Sequence, residues 1–380
     1  CIPLLKGILE AEGIEQSKAV CPHFQQSRAE LFEIARSTGI TDFPTFIERF
    51  GTGGGCEVCK PTFANIVASM HTEDHVLDGA TAGLQDTNDR MLGNMQKNGT
   101  YSVIPRQPAG NVTPEQLQEM GSIAEDFGLY LKITGAQRIA MFGARTEDLP
   151  EIWRRLIDVG MESGQAYGKS LRAVKSCVGT DWCRYGQQDS VAMAINLELR
   201  YRGLRSPHKL KMGVSGCARE CAEARGKDIG VIATEQGWNL YVGGNAGATP
   251  RQAQLLAKDL TEETLIRYID RYLAFYIRNA DRLQRTAAWQ AEVEGGLDHI
   301  RDVVVDDSLG IADDLEAFMD HHVANYSDEW QDVLNDPEKL KRFVSFINAP
   351  DMPDPTVQFE EHPQGGRKVP LMTPTIGAAN

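Results

Sequence analysis

Two cysteine motifs, Cys177-Val-Gly-Thr-Asp-Trp-Cys183 and Cys217-Ala-Arg-Glu-Cys221, decide how this sequence folds. Thirty-three residues separate them, with five residues between the cysteines of the first pair and three between those of the second. A [4Fe–4S] cube takes four thiolates, one for each iron. A structural zinc ion also takes four thiolates, but its ligand pairs usually have two to four residues between them. The spacing therefore favours a cluster over zinc, and a chance group of buried cysteines is the third interpretation.

The composition excludes several classes of protein. The chain of 380 residues carries a formal net charge of −14, which argues against a nucleic-acid binder because phosphates need a basic surface. No apolar run has transmembrane length, and no signal segment is recognisable. Eight cysteines without such a signal are typical of a reducing compartment, where thiols bind metals rather than form disulfides. We therefore expect a cytoplasmic protein of two or three domains that binds neither nucleic acid nor membranes.

The hydrophobic pattern predicts an α/β (α+β) fold. Short helices and loops are expected before residue 80, with Ser27 and Glu30 at capping-box spacing. The next elements have the β-α-β-β-α order of a ferredoxin-like split unit and are predicted from Thr100, from Thr113, at 129–133, at 138–142 and at 149–159. The later elements are a helix predicted at 189–204, three strands at 209–215, 228–233 and 238–242, and a long helix at about 261–283. The tail after Pro350 is predicted to be a loop or an arm that embraces a partner.

Several segments carry a family resemblance. Ser215-Gly216-Cys217-Ala-Arg-Glu-Cys221-Ala-Glu-Ala-Arg225-Gly226 resembles the second cluster motif of sirohaem-dependent nitrite and sulfite reductases, and the 177–183 motif resembles their first. The segments 84–89 and 98–106 are similar to the beginning of the ferredoxin-like half of that family. The segments 55–61 and 342–350 resemble more specifically the large subunits of its NAD(P)H-dependent assimilatory members that reduce nitrite.

The resemblance implies a fold, cofactors and a reaction. It implies a small helical module of the bacterioferritin-associated ferredoxin type, a ferredoxin-like half, a sirohaem and [4Fe–4S] domain, and a C-terminal helical region with a tail, at 1–80, 81–160, 161–290 and 291–380. The implied reaction is the reduction of nitrite to ammonium during nitrate assimilation, and sulfite reduction to sulfide is the alternative. The cluster motifs do not distinguish these two substrates.

The same resemblance implies partners. Because the chain begins at Cys1 within a helical pattern, we expect a piece of a longer polypeptide. No Gly-x-Gly-x-x-Gly opens a βαβ unit, so FAD and NAD(P)H are expected only on missing N-terminal domains or on a partner, with a small reductase subunit as a further electron-input partner. Larger single-chain relatives contain two copies of the ferredoxin-like and cluster unit, whereas this chain has one. We therefore expect a homodimer.

Site residues follow from matching the family motifs to this sequence. The cluster ligands are Cys177, Cys183, Cys217 and Cys221, and Cys221 is also implied to be the axial ligand of the sirohaem iron. Anion binding and proton delivery are assigned to four basic residues, Arg106, Lys175, Lys209 and Lys211. Arg172 is an alternative to Lys175. The carboxylates of the macrocycle are assigned to Arg138, Arg172, Arg219, Arg225 and Lys227.

The N-terminal module contains a second possible metal site. Its resemblance implies a [2Fe–2S] cluster held by a Cys-x-Cys pair and a Cys-x-x-Cys pair. Cys56-x-x-Cys59 is present, but Cys21 has no second cysteine beside it, since position 19 is Ala19. Cys21, Cys56 and Cys59 are therefore candidate ligands of an incomplete set, and Cys1 completes it only if the fold brings it close. The alternative is a degenerate module with leftover thiols.

Two other classes of function remain open. One is a colourless zinc-ribbon binding module, and the other is a cluster-bearing electron-transfer subunit without sirohaem. Histidine chemistry is not favoured, because His321 and His322 are predicted on an exposed acidic helix and His71 and His75 lack partner ligands. No Ser/His/Asp arrangement is recognisable.

Overall fold

The computed structural model describes most of the chain, namely residues 12, 17, 19–38, 40–56, 58–70, 94–96, 98–281, 283–346, 348–355, 357–361 and 368–370. Cys1, His71, His75 and the segment 84–89 lie outside these residues. Contacts between residues divide the chain into two units, Cys1–Thr87 and Asn88–Asn380. The domain boundaries within the second unit remain a prediction.

The first unit is helical, as the sequence predicts. Its helices are α1 (Arg28–Thr38), α2 (Phe43–Phe50) and α3 (Cys59–Met70). The capping box at the start of α1 is confirmed, because the Glu30 N–H donates to Ser27 Oγ and the Ser27 N–H donates to the Glu30 carboxylate. Aromatic and aliphatic side chains from all three helices form its core, among them Leu31, Phe43, Phe46, Phe63 and Ile66.

The second unit begins with the predicted ferredoxin-like half. Its elements are β1 (Tyr101–Val103), α4 (Pro114–Asp126), β2 (Tyr130–Ile133), β3 (Ile139–Ala144) and α5 (Leu149–Asp158). The antiparallel sheet has the order β1-β3-β2, which confirms the split β-α-β-β-α pattern. Thr113 caps α4 in a capping box with Gln116.

A five-stranded sheet follows. Its strands are β4 (Leu171–Ser176), β5 (Leu210–Ser215), β6 (Ile229–Thr234), β7 (Gly237–Val242) and β8 (Gln254–Leu260), in that order. The first three strands are parallel, and the last two pair antiparallel. The helix α6 (Ser190–Arg200) connects β4 to β5, and α7 (Glu262–Asn279) contributes its apolar side to the core of the sheet. The sequence pattern missed β4 and β8.

In the C-terminal region, the described residues form five further helices and a strand pair. They are α8 (Thr286–Glu292), α9 (Gly296–Val304), α10 (Ala312–Ala324), α11 (Glu329–Leu334), α12 (Pro337–Leu340), β9 (Phe359–Glu361) and β10 (Lys368–Pro370). Met319 packs into the core of the five-stranded sheet, whereas Trp330 stacks on Trp153 of the ferredoxin-like half, with ring centroids 5.7 Å apart. None of the helices in the described part of the chain has the length and apolar character that crossing a membrane requires.

Four predictions about local structure need correction. The helix predicted at 189–204 ends at Arg200, and the one predicted to reach residue 283 ends at Asn279 because Ala280 is extended. The tail after Pro350 is not only loop, since β9 and β10 pair there. His322 lies on α10 but is buried, with Nε2 3.1 Å from the Arg202 carbonyl oxygen, and its burial lowers its pKa to about 4.

Candidate active site

The two cysteine motifs follow neighbouring parallel strands. Cys177 comes directly after β4, and Cys217 lies two residues after β5. The paired register, with Ser176 opposite Val214, places the carboxyl ends of both strands at one edge of the sheet. The contact between the motifs is direct, because the Gly216 N–H donates to Cys177 Sγ at 3.2 Å. The topology of the sheet therefore brings together motifs that are far apart in the sequence.

The surroundings of Cys177 favour its thiolate. Burial acts to raise the pKa of this thiol, but the Ser190 hydroxyl, 3.1 Å from Sγ, and the N–H groups of Gly179 and Gly216 outweigh burial and lower the pKa. A thiolate is the form that binds a metal. Gly216 also leaves room for the sulfur, since a Cβ at this position would lie 3.3 Å from Cys177 Sγ.

Glycines on β5 and β6 allow the second cysteine loop to lie against the sheet. Gly213 and Gly230 are partners in the parallel register. A Cβ on Gly213 would lie 3.1 Å from the Ala222 carbonyl oxygen, and a Cβ on Gly230 would lie 2.5 Å from that of Ala224. Any larger residue at these two positions would push away the loop that carries Cys217 and Cys221.

The four thiols of the two motifs are less closely grouped than the ligands of a single ion. Cys177, Cys183 and Cys217 are partly buried, Cys221 is exposed, and all four are free. Within the described ranges, the group whose metal-ligating atoms all lie within 4.8 Å of one another is elsewhere, in the first unit, so these four sulfurs stand further apart. A [4Fe–4S] cube takes each thiolate at a different iron and therefore needs such separated ligands.

A cationic cluster lies near the start of β5. Lys211 lies on β5. Lys209 lies one residue before the strand begins, whereas the sequence predicts both lysines on one strand. Partial desolvation and the charges of Lys209, Arg285 and Lys227 lower the pKa of Lys211, the Asp228 carboxylate opposes them, and the side chain remains exposed at the surface. Burial and the charges of Arg285, Lys209, Arg172 and Lys169 likewise lower the pKa of His208 to about 4. A local positive field therefore exists within a strongly acidic chain.

Lys175 and Lys227 share one carboxylate. The Nζ atoms of both lysines lie 3.0 Å from Glu223 Oε2, and these two contacts lower the pKa of Glu223. The three side chains together keep one positive charge. They connect β4 to the loop that follows the second cysteine pair.

Arg219 and Arg225 lie on the loop of the second cysteine motif and its end. The Arg219 guanidinium stacks over the Tyr185 ring at 3.9 Å. Arg225 Nε donates to Glu220 Oε2 at 2.8 Å. Arg172, on β4, donates instead to the carbonyl oxygens of Ala166 and Gly168, at 2.6 and 2.9 Å.

Arg106 and Arg138 are buried in an ion-pair network. Arg138 Nη2 lies 2.6 Å from Glu198 Oε1, and Arg106 contacts the same oxygen at 3.4 Å and Glu162 at 2.7 Å. Burial lowers the pKa of Arg138, and Glu198 opposes that effect. Because Glu198 lies on α6, the network joins the ferredoxin-like half to the five-stranded sheet domain.

In the first unit the structure brings Cys21, Cys56 and Cys59 together and adds a residue that the sequence analysis missed. The donor atoms of these three cysteines and of His23 all lie within 4.8 Å of one another. The sequence does contain a signal for His23. In Cys21-Pro-His23 the histidine takes the position of the second thiol of a Cys-x-Cys pair.

Comparison with known proteins decides the family. Residues 94–159 match the sequence model of the nitrite/sulfite reductase ferredoxin-like half domain, and residues 167–311 match that of the nitrite and sulphite reductase 4Fe-4S domain. The assimilatory-type sulfite reductase of Nitratidesulfovibrio vulgaris is 33% identical over 207 residues, which are 54% of this chain and 93% of that protein. The chain belongs to the nitrite and sulfite reductase family. The family and the fold class that the sequence predicts are thereby confirmed.

Other members of this nitrite and sulfite reductase family are more similar but longer. The Nitrite reductase [NAD(P)H] large subunit of Klebsiella oxytoca is 56% identical over 362 residues, covering 94% of this chain and 38% of that protein. The Nitrite reductase (NADH) large subunit of Escherichia coli K12 is 53% identical, covering 94% and 42%. The chain thus spans about four tenths of these relatives. A solved structure of the Mycobacterium tuberculosis NirA protein shares the fold, with a TM-score of 0.50, 22% identity, and coverage of 56% of this chain and 41% of that one.

Proposed function

We propose that this chain carries the sirohaem and [4Fe–4S] site at which nitrite is reduced to ammonium during nitrate assimilation. The observation that carries the proposal is the meeting of both cysteine motifs at one edge of a sheet whose strand β5 also bears the cationic cluster. The similarity to the Klebsiella and Escherichia nitrite reductase subunits supports nitrite as the substrate.

The four thiols would hold the cofactors. Cys177, Cys183, Cys217 and Cys221 would each bind one iron of the cluster, and Cys221, the exposed member, would also bind the sirohaem iron. When bound, the two groups supply the storage and transfer of six electrons, which side chains cannot provide. The N–H of Gly216 and the hydroxyl of Ser190 would stabilise the Cys177 thiolate in this role.

The cationic cluster would bind the anion and hold protons for it. Among the residues that the structure describes, no carboxylate lies within 4.0 Å of the Lys209 or Lys211 ammonium group, so their charges are available to a ligand. Lys175 would contribute beside them, and Arg172 is its alternative. The carboxylates of the macrocycle would be met by Arg219, Arg225 and Lys227, which surround the second cysteine motif.

Arg106 and Arg138 require a different account from the lysines. Their guanidinium groups are already paired with Glu162 and Glu198. Direct anion binding by Arg106 and carboxylate binding by Arg138 or Arg172 remain predictions. The network favours a positioning role for Arg106 and Arg138, in which they fix the ferredoxin-like half against α6 and thereby fix the walls of the site.

Electrons would come from outside this chain. The relatives named for NADH or NAD(P)H are more than twice as long as the matched region, which supports FAD and NAD(P)H on domains beyond this chain and a small subunit as a further partner. We therefore expect activity with a chemically reduced dye and none with NAD(P)H alone.

The substrate is tested by steady-state kinetics of the cofactor-loaded chain with reduced dye. We expect a kcat/KM for nitrite well above that for sulfite. Sulfite reduction is the second candidate, since the Nitratidesulfovibrio relative is named a sulfite reductase. A larger kcat/KM for sulfite would replace nitrite as the substrate, and activity with neither anion would leave an electron-transfer module as the function.

A further inference from the structure

The first unit contains a compact group of metal-ligating side chains apart from the proposed active site. Cys56 Sγ and Cys59 Sγ are 3.7 Å apart, and Cys21 Sγ and His23 Nδ1 are also 3.7 Å apart. The donor atoms of all four side chains lie within 4.8 Å of one another. Three thiols and one imidazole therefore converge on a single point.

The size of this group identifies the kind of ligand that it fits. A tetrahedral zinc ion with Zn–S bonds of 2.3 Å holds its sulfur ligands about 3.8 Å apart, which is the edge of the tetrahedron. The Cys56 and Cys59 sulfurs, 3.7 Å apart, match this edge, and all separations among the four donor atoms stay within 4.8 Å, as ligands of one ion require. A [2Fe–2S] cluster divides four ligands between two irons, so ligands on different irons stand further apart than those on a single ion.

We propose that Cys21, His23, Cys56 and Cys59 bind one Zn²⁺ as a Cys₃His structural site. This assignment goes beyond the proposed reductase function and does not depend on it. It replaces the [2Fe–2S] cluster that the family resemblance implies for this module, and it supplies from His23 the fourth ligand that the thiols lack.

The backbone is arranged to present these four ligands. Cys21 and His23 lie in a tight turn, in which the Phe24 N–H donates to the Cys21 carbonyl oxygen at 3.1 Å. The Thr52 N–H donates to the His23 carbonyl oxygen at 2.9 Å and ties this turn to the glycine-rich loop before the second pair. The Cys56 N–H donates to Cys59 Sγ at 3.1 Å, which holds the two members of the second pair side by side.

A glycine allows the loop that leads to Cys56 to take its path. Gly55 has a φ of +81°, and a Cβ at this position would lie 2.6 Å from the Phe43 ring. The loop can therefore pass close over α2 and deliver Cys56 beside Cys59, the first residue of α3. The arrangement connects the segment before α1 to the start of α3.

The small hydrophobic core of this unit would gain stability from a bound metal. Its described core is confined to side chains between Phe24 and Val67. Units of this length rarely gain enough stability from a hydrophobic core alone, and a structural metal is one of the usual additions. Because such an ion binds the folded unit and not the unfolded chain, its binding free energy stabilises the fold.

Elemental analysis of the full chain, grown with iron and zinc both present, tests the assignment. We expect about one zinc per chain in the unmodified protein. His23→Cys should bind the same amount, because cysteine replaces histidine as the fourth ligand. In His23→Ala we expect the affinity for zinc to fall about tenfold or more. Even the loss of a residue that only hydrogen-bonds to a metal ligand lowers metal affinity by that factor. Iron and acid-labile sulfide stay unchanged in all three proteins. His321→Ala, an exposed histidine on α10, is the matched control and retains its zinc.

Zinc K-edge absorption separates ligation from a folding defect, because it reports zinc alone. The proposal predicts three sulfur ligands and one nitrogen ligand in the unmodified chain, and four sulfur ligands in His23→Cys. An unchanged first shell in His23→Cys would remove His23 from the site. Loss of two irons and two sulfides per chain in Cys59→Ser, without any zinc in the unmodified chain, would establish a [2Fe–2S] cluster and overturn the proposal.

Discussion

At the scale of single residues, the second unit uses hydrogen bonds and charge to prepare two kinds of chemistry. Hydrogen bonds with Ser190, Gly179 and Gly216 favour the thiolate of Cys177, which is the form that binds a metal. Lys211 is held among other cations, so that an incoming anion relieves their mutual repulsion. Part of each property comes from a residue that is distant in sequence, Gly216 for Cys177 and Arg285 for Lys211, and the motifs alone do not reveal these neighbours.

Replacing Cys177 with serine tests the ligand assignment. We expect Cys177→Ser to lose the visible absorption of both cluster and sirohaem, because the serine oxygen does not replace the thiolate and, in the proposed site, Cys221 would bind both groups. Absorption spectra and iron content provide the measurement. A full cluster signal in Cys177→Ser would contradict the assignment.

Removing the Lys211 charge tests the anion site. Lys211→Ala, and likewise Lys209→Ala, should lower turnover by about one to two decades, the equivalent of a charge-assisted contact of about 1.5–3 kcal/mol. Cofactor content should stay unchanged. Lys132→Ala, on the exposed side of β2, is the matched control. Turnover in Lys211→Ala equal to that of the unmodified chain would show that this lysine is an ordinary surface charge.

The same residue gives a pH dependence with a defined sign. The ammonium form binds the anion, and the lowered pKa means that Lys211 loses its proton at a lower pH than an ordinary lysine. The KM for nitrite should therefore rise earlier on the alkaline side than an unperturbed lysine would allow. Lys211→Arg keeps its charge throughout this range and should move that rise to higher pH. An unmoved profile would exclude Lys211 as the titrating group.

At the scale of secondary-structure elements, the parallel strands β4 and β5 assemble the site and the glycines of β5 and β6 make room for it. The cysteine loops leave the carboxyl ends of adjacent strands, where side chains from distant segments meet. Gly213 and Gly230 then allow the second loop to lie flat on the sheet. The sequence shows both glycines, but only the register shows that they are partners.

Adding one methyl group at Gly230 tests this packing. Gly230→Ala would place Cβ 2.5 Å from the Ala224 carbonyl oxygen and should cost about 1–3 kcal/mol of stability, as overpacking does. The displaced loop should also lower the cluster content. Gly226→Ala is the matched control, because its Cβ meets only the Ala246 side chain at an ordinary 3.7 Å. Thermal unfolding and iron analysis measure both effects, and equal values for the two variants would contradict the account.

At the scale of the whole molecule, the sequence predicts more of the fold than of the site. The ferredoxin-like order and both cysteine motifs are readable because strand alternation, proline at the start of α4 and ligand spacing are local signals. The sequence does not predict the buried network of Arg106, Arg138 and Glu198, because these residues come from three distant segments. The burial of His322 and the convergence of His23 with Cys59 are likewise tertiary effects.

The number of chains in the active molecule is a prediction at this scale. Because the sequence has one copy of the ferredoxin-like and cluster unit where larger relatives have two, we expect a homodimer with two sirohaem sites. Light scattering coupled to gel filtration of the cofactor-loaded chain at micromolar concentration should give twice the chain mass of 42.0 kDa. An active monomer that retains sirohaem would refute the homodimer and leave the site assignment intact.

The most direct test of the central claim is the electron balance of the dye-linked reaction. The cofactor-loaded chain is given a limited amount of nitrite with excess reduced dye, and both dye oxidation and ammonium formation are measured. We expect one ammonium for each nitrite and six electrons taken from the dye. Release of nitric oxide with one electron per nitrite, or recovery of the nitrite unchanged, would contradict it.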